Sequence, residues 1–410
     1  MPNSMIPTDV YTIVNAAAQQ IFGAQTTLQA VDTSSFVTVG EALLRSGYEN
    51  TLNALSTQVI RTLVAIRPYS ARYGLIERTE QEFGMITRKI SYFYKGNEAE
   101  GSWNTNINAE QIKDGRSIDH YTINKQYPLE VQFYGMKVLE KSYTRFKYQL
   151  KQAFRSEQEF SAFYYGLAVE ISNEIELNKE AENQLQILNH IGAVYNTGKP
   201  GMKVNLTDAF NKEFGTTYKS NELRTVHLKE FLAFMVARIK ADSDMMERNT
   251  ELYHLTPVKN DDSGQPMHLL RHTPKSMQRL MMLREFWYKA ESYVMPEIFN
   301  DRYLKLDQYE GVDFWQSPVD KGGVKVTPNQ LNVTSGACEK GTAVTIPYVV
   351  GLLYDYDALA TAYHVEDVDT TPLNAKGEYY NTFYHWAKDY QDDLTENSIL
   401  YYMEDALPGG

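Results

Sequence analysis

The sequence predicts an α+β fold of two interleaved lobes, on three observations. A capped helical stripe of about thirty residues starts at Ser156. Two strand-like stretches, Gly84–Tyr94 and Leu129–Leu139, flank a long polar excursion. Two short, β-branched apolar runs, Ile346–Leu353 and Ser398–Met403, enclose a turn-rich corner and a dense aromatic cluster. A chain of 410 residues is too long for one ordinary core and suits two or three domains.

Taken in order, Val10, Ile13, Val14, Ala17, Ile21 and Phe22 are spaced for a short helix that Gly23 stops. A Thr/Ser/Gln-rich link, Gln25–Ser35, leads to a second helical pattern at Thr51–Ile66, ended by Pro68. An extended N-terminal arm is the simplest description of this region. The strands Gly84–Tyr94 and Leu129–Leu139 are expected to pair as a long hairpin, since Leu129, Val131 and Phe133 alternate with polar neighbours. Lys95–Tyr127 between them is longer than a compact domain leaves without a use, so the excursion is expected to lean on a neighbouring subunit.

Ser156, with Glu159 three residues on, is a helix-start signal. Phe160, Phe163, Tyr164, Leu167, Ile171 and Ile175 form the stripe behind it, and Leu185 and Leu188 resume it. Gly192, Gly198, Pro200 and Gly201 mark a boundary. Beyond it, Leu228–Ile239 reads as a helix with one buried face. Pro274–Tyr293 reads as a Met-rich helix with Leu280, Leu283, Phe286 and Trp287 inward. Residues from about 202 to 345 are then an inserted lobe, and Ile346 returns the chain to the first one.

Composition excludes several functions. The formal net charge of −12 argues against gripping phosphates, which takes clustered Lys and Arg. The single cysteine, Cys338, leaves no intrachain disulfide and no cysteine-rich metal site. The N-terminus lacks the basic start and apolar core of a signal peptide, and no run near 18 apolar residues occurs, so no membrane association is expected. The 30 tyrosines, each a large ring with a polar tip, suit a subunit with wet contact surfaces.

No chemistry-bearing spacing survives inspection. Gly192–Pro200 has one residue too many for a phosphate loop and a proline where the hydroxyl belongs; Gly336–Thr342 lacks the lysine. His268 and His272 lack the glutamate of a zinc protease between them. Asp355, Asp357, Glu366, Asp367 and Asp369 lack the regular spacing of a calcium loop and read as a solvated acidic edge. No catalytic, cofactor or metal residue is assigned.

One resemblance stands on specific residues. Tyr354–Leu359 (YDYDAL), Thr370–Asn381 (TTPLNAKGEYYN) and Thr395–Asn397 (TEN) resemble the C-terminal end of major capsid proteins of tailed bacteriophages, especially short-tailed ones. The resemblance implies the Hong Kong 97 type capsid fold. In that plan an N-terminal arm occupies residues 1–60, and a peripheral domain with a long spine helix occupies 61–83 and 141–201. An extended β-hairpin loop would span 84–140, an inserted axial domain 202–345 and the return strands 346–410. The Lys–Asn pair by which some relatives crosslink their subunits has no matching position here.

The implied role is self-assembly into pentamers and hexamers of an icosahedral shell. Portal, scaffolding or decoration proteins are the implied partners, packaged double-stranded DNA is touched only non-specifically, and the chain is made in the bacterial cytoplasm. Candidate intersubunit contacts are Trp103 and Ile107 at the hairpin tip and Val10, Ile13 and Phe22 in the arm, whose apolar side chains have little local core to join. The rival expectations are an intracellular α/β enzyme acting on a polar carbohydrate, and another virion component such as a portal or tail protein.

Overall fold

The computed structural model describes residues 7–55, 72–78, 86–93, 126–134, 137–260, 264, 266–290 and 308–405. The described N-terminal region is helical and packed. Helices α1 (Pro7–Phe22) and α2 (Thr33–Ser46) are followed by helical residues 48–55. Asp32 caps α2 by accepting from the Ser35 N–H at 2.7 Å. The Asn15 side chain bonds both the N–H and the carbonyl of Ala30, at 2.6 and 3.0 Å, fixing the turn between the two helices. Val10, Val14, Ala17, Phe36, Leu43 and Leu52 are buried in a core shared with Phe154, Phe160, Tyr164 and Trp386. The expected arm therefore has a local core. The signs of α2, Asp32 as cap and Phe36, Val39 and Leu43 at helical spacing, are masked by a β-branched, serine-rich start that reads as a link.

The expected hairpin forms at its base. Strand β1 (Ile86–Tyr92) pairs antiparallel with β2 (Pro128–Tyr134). The second stretch does not continue in that pairing to Leu139, because β3 (Lys137–Phe146) belongs to another sheet. After α3 (Lys147–Ala153) comes α4 (Glu157–Thr197), 41 residues and about 60 Å long. Ser156 caps it, accepting from the Glu159 N–H at 3.2 Å. The helix runs straight through Gly192, where a boundary was expected. A Cβ there would lie 2.4 Å from Val326 Cγ1, so the glycine serves close packing. Leu185, expected on the inner stripe, is 60% exposed.

Strand β4 (Lys203–Asn205) and helices α5 (Leu206–Phe214), α6 (Ser220–Thr225) and α7 (Leu228–Met246) follow. The expected helix over 274–293 is corrected: Lys275–Met277 is a single 3-10 turn, Gln278–Leu283 is strand β5, and only residues 284–290 are α-helical among those described. Leu280, Met281, Met282 and Leu283 are all at most 1% exposed. A strand buried on both faces reads as a continuous apolar run, and over six residues that pattern is indistinguishable from a helix segment.

β6 (Tyr309–Val312) pairs parallel with β5. Two small ribbons follow, β7 (Val324–Val326) with β10 (Val344–Ile346) and β8 (Asn329–Leu331) with β9 (Cys338–Lys340). The C-terminal strands are β11 (Tyr348–Asp355), β12 (Leu359–Thr370), β13 (Tyr379–Asp392) and β14 (Ser398–Met403). β11 and β14 are the two apolar runs, and they pair with each other. The aromatic cluster is one strand, β13, whose alternating Tyr380, Tyr384 and Trp386 enter the first core.

The larger sheet has the order β4-β14-β11-β5-β6, and a three-stranded sheet has the order β12-β13-β3. Strands from both sides of residue 345 thus share one sheet and one core, which also holds Ile187, Ile191 and Val194 of α4. Phe160, Tyr164 and Ile171 of the same helix lie in the other core. The long helix is the beam that joins the two.

Candidate assembly surfaces

Strand β1 of the hairpin faces the body with inverted polarity, whereas on β2 Leu129, Val131 and Phe133 are half-buried and Glu130 and Gln132 exposed. Along β1, Lys89 and Ser91 point inward, whereas Arg88, Ile90 and Tyr92 are exposed, Ile90 by 51% and Tyr92 by 61%. Inward polar groups have to find partners on burial, and these do. Lys89 Nζ is 2.6 Å from Asp393 Oδ2 and also contacts Glu396. Arg271 donates to Ser91 Oγ at 2.9 Å and to the Thr395 carbonyl at 3.0 Å, and its Nε lies 3.4 Å from Glu396. Burial pushes the Glu396 carboxyl above its ordinary range, against the opposing pull of Lys89 and Arg271. Strand β1 is thus fastened by ions and hydrogen bonds beneath, and it presents Ile90 and Tyr92 outward.

The candidate contact residues fall in three classes. Val10 and Ile13 are 1% and 9% exposed inside the chain's own core, so the premise that they have no core to join does not hold. Phe22, at the end of α1, is 41% exposed. Trp103 and Ile107 lie outside the described residues. Ile90 and Tyr92 were missed, although the alternation in Lys89–Tyr92 carries the signal once the direction of the body is known.

One buried cluster has the order of a hydrolase relay. His190 Nε2 is 2.9 Å from Ser398 Oγ, and His190 Nδ1 is 2.7 Å from Asp392 Oδ1. Both His190 and Ser398 are 0% exposed, and Ser398 lies within β14, so no acyl group can approach its hydroxyl. The trio instead ties α4 to β13 and β14. His254, equally buried, has Nε2 2.8 Å from the Leu269 carbonyl and Nδ1 3.1 Å from the Asn397 amide. Desolvation pushes its pKa down to about 4, although both hydrogen bonds pull the other way.

The expected acidic edge divides. Asp367 and Asp369 are exposed. Asp355 is 5% exposed and accepts from Thr273 Oγ1 at 2.6 Å, and burial raises its carboxyl above the ordinary range. Asp357 pairs with Arg78 at 2.9 Å. His268 and His272 lie outside any helix, and His268 contacts Glu251 at 2.9 Å. Among the described residues no three His, Cys, Asp or Glu side chains gather to hold a metal, and no helix is long and apolar enough to cross a membrane.

Neither the protein-family models nor the curated proteins contain a match to this sequence. Solved structures do match in shape. The capsid structure of Staphylococcus phage Andhra superposes with a TM-score of 0.50 at 11% identity, covering 82% of this chain and 85% of that chain. A chain from the structure of the head fiber and inner core protein gp22 of native bacteriophage P68 gives 0.50 at 10% identity, covering 83% and 86%. The chain has a phage capsid fold. Its architecture is α+β, with the long α4 beside two sheets. At such identity the likeness carries the fold and no residue assignments.

Proposed function

We propose that this chain is a major capsid protein whose copies assemble into the icosahedral shell around the genome of a tailed bacteriophage. The observation that carries this reading is the inverted strand β1 on a capsid fold: Ile90 and Tyr92 face outward while Lys89 and Ser91 are secured beneath. Burying one such side chain against a neighbour contributes about 1.5–3 kcal/mol, so a shell accumulates many modest contacts. In this reading residues 84–140 are the extended loop lying over a neighbour, 1–60 the arm, and 61–83 with 141–201 the peripheral domain. Residues 202–345 supply the axial domain at the capsomer centre, with β11 and β14 of 346–410 completing its sheet and β12 and β13 closing the peripheral part. Pentamers and hexamers are the building units, located in the virion, and the role is structural and needs no catalysis. Portal, scaffolding and decoration proteins are the further partners, and DNA is enclosed without sequence-specific contact.

The test is to express the full chain and image it by negative stain alongside sedimentation velocity. Closed particles or capsomers are expected. A discrete monomer or dimer refutes the reading, and a single ring with a central channel assigns the chain to the portal instead. Deleting residues 103–107 is expected to abolish particles and leave a soluble, folded subunit; intact particles from that variant would remove the tip from the contact.

A further inference from the structure

We infer that the outer stripe of α4 is a docking surface for a second copy of this chain, and that the β3–α3 segment of the second copy is what sits on it; this rests on the shell reading above.

Asn173, Leu177, Ala181 and Leu185 follow one another at four-residue steps and are all exposed, Leu177 by 62% and Leu185 by 60%. At 3.6 residues per turn they share one stripe. Gly166 lies upstream on the same side. A mid-helix glycine costs stability relative to alanine, and a Cβ at this position would meet nothing within 4 Å among the described residues. Internal packing therefore gives no reason for it, whereas close approach of another molecule does.

Charge identifies the occupant. From Glu157 to Glu182 the helix carries seven glutamates and one lysine, whereas Lys137–Arg155 carries six cations and one glutamate in a chain of net charge −12. The cationic segment also displays apolar surface. Phe146 and Tyr148 are 38% and 58% exposed and stack at 5.7 Å, flanked by exposed Lys151 and Arg155. Arginine and aromatic side chains together are the usual composition of an interface core.

From Phe146 onward the segment lies away from its own stripe. Lys141 and Tyr143 already meet Glu174 of the same chain, at 3.6 and 2.7 Å. Phe146 lies about 17 Å further along β3, and Leu177 lies about 30 Å from the helix start that follows Arg155. The contact is therefore between unlike patches of two copies, a head-to-tail arrangement that closes into rings when the rotation permits. A nucleic acid would also suit the basic aromatic segment, but it leaves Leu177 and Leu185 unexplained; one protein contact accounts for both surfaces.

The test uses the full chain carrying Cys338→Ser, so that no native thiol remains. With Tyr148→Cys and Leu177→Cys together, mild oxidation is expected to convert the monomer band into a ladder of dimers and higher multimers that reductant collapses. Either substitution alone is expected to stay monomeric on the gel. A Leu177→Cys single variant that dimerises means like-to-like helix contact and overturns the inference. So does a double variant that forms particles without a ladder. Charge reversal by Lys151→Glu with Arg155→Glu is expected to abolish particles with an unchanged melting temperature. If it instead only lowers co-purifying nucleic acid, the segment binds nucleic acid and the inference fails. A Cys338→Ser parent that gives the ladder in the double variant but never forms particles keeps the contact and overturns the shell reading; neither ladder nor particles overturns both.

Discussion

His254 makes acid the most informative perturbation of the subunit. The Leu269 carbonyl beside Nε2 can only accept, so the neutral ring keeps its proton on Nε2. Desolvation holds the folded pKa at about 4 against an ordinary value of 6.5. Lys199 and Arg271 also disfavour the cation, while Asn397 and the Leu269 carbonyl favour it. Between these two values the unfolded chain binds the extra proton and the folded chain does not, so unfolding gains proton affinity as the pH falls. The stability is complete above about pH 6.5 and lost as the pH drops to about 4, a loss of about 3 kcal/mol from this residue. Nearby acids work in the opposite direction. Asp355 and Glu396 have raised folded pKa values, which favours the folded state as they take up protons on acidification. The comparison must therefore be differential. Urea unfolding of unassembled chain and of His254→Gln, followed by far-UV circular dichroism from pH 7.5 to 4.5, isolates the histidine. The parent is expected to lose roughly 2–3 kcal/mol more than the variant across that range. Parallel pH profiles would show that His254 is protonated in the fold and that the argument from desolvation is wrong.

Two further perturbations test the packing of α4. Gly192→Ala drives a methyl to 2.4 Å from Val326 Cγ1 and 3.3 Å from Pro328 Cβ, so it is expected to destabilise by about 1–3 kcal/mol despite the better helix propensity of alanine; a rise in thermal midpoint would contradict the close approach. Ser398→Ala removes the hydroxyl 2.9 Å from His190 Nε2 and leaves a buried ring nitrogen unmatched, which is expected to cost about 1–3 kcal/mol in chemical denaturation. Esterase activity in the parent that disappears in this variant would reinstate the relay as a catalytic site.

What could be read in the sequence depended on how local its cause was. Ser156 and the stripe at Phe160, Tyr164 and Ile171 report a helix through a cap and a 3.6-residue period, and both are found. β11 and β14 report themselves as short β-branched runs. The helix end was placed too early because Gly192 resembles a stop, and only the neighbouring Val326 explains it. β5 was misread because Leu, Met and Phe at mixed spacing satisfy helix and central strand alike until the partners β11 and β6 are known. The Asp392–His190–Ser398 trio joins positions about 200 residues apart, and no spacing rule spans that distance. The outward Ile90 and Tyr92 were legible as alternation, but which face met the body was not.

The junction between the two cores shows why α4 can act as one rigid beam. Between Ile175, packed against the first core, and Ile187 in the second, its inward contacts include polar and directional ones. Gln186 donates to the carbonyls of Ala360 and Gln391, at 3.0 and 2.7 Å, and accepts from Thr361 Oγ1 at 2.6 Å. Asn183 donates to Glu77 at 3.0 Å, and Lys388, 2% exposed, lies 3.5 Å from Glu182. An apolar joint would tolerate sliding by a residue, because hydrophobic contact has no direction. A slide here strands several buried donors and acceptors, each at a cost of about 1–3 kcal/mol. The polar joint therefore fixes helix register at the point where the two cores meet. The exposed stripe at Leu177, Ala181 and Leu185 lies on the other side of this joint, held at a defined angle to both sheets.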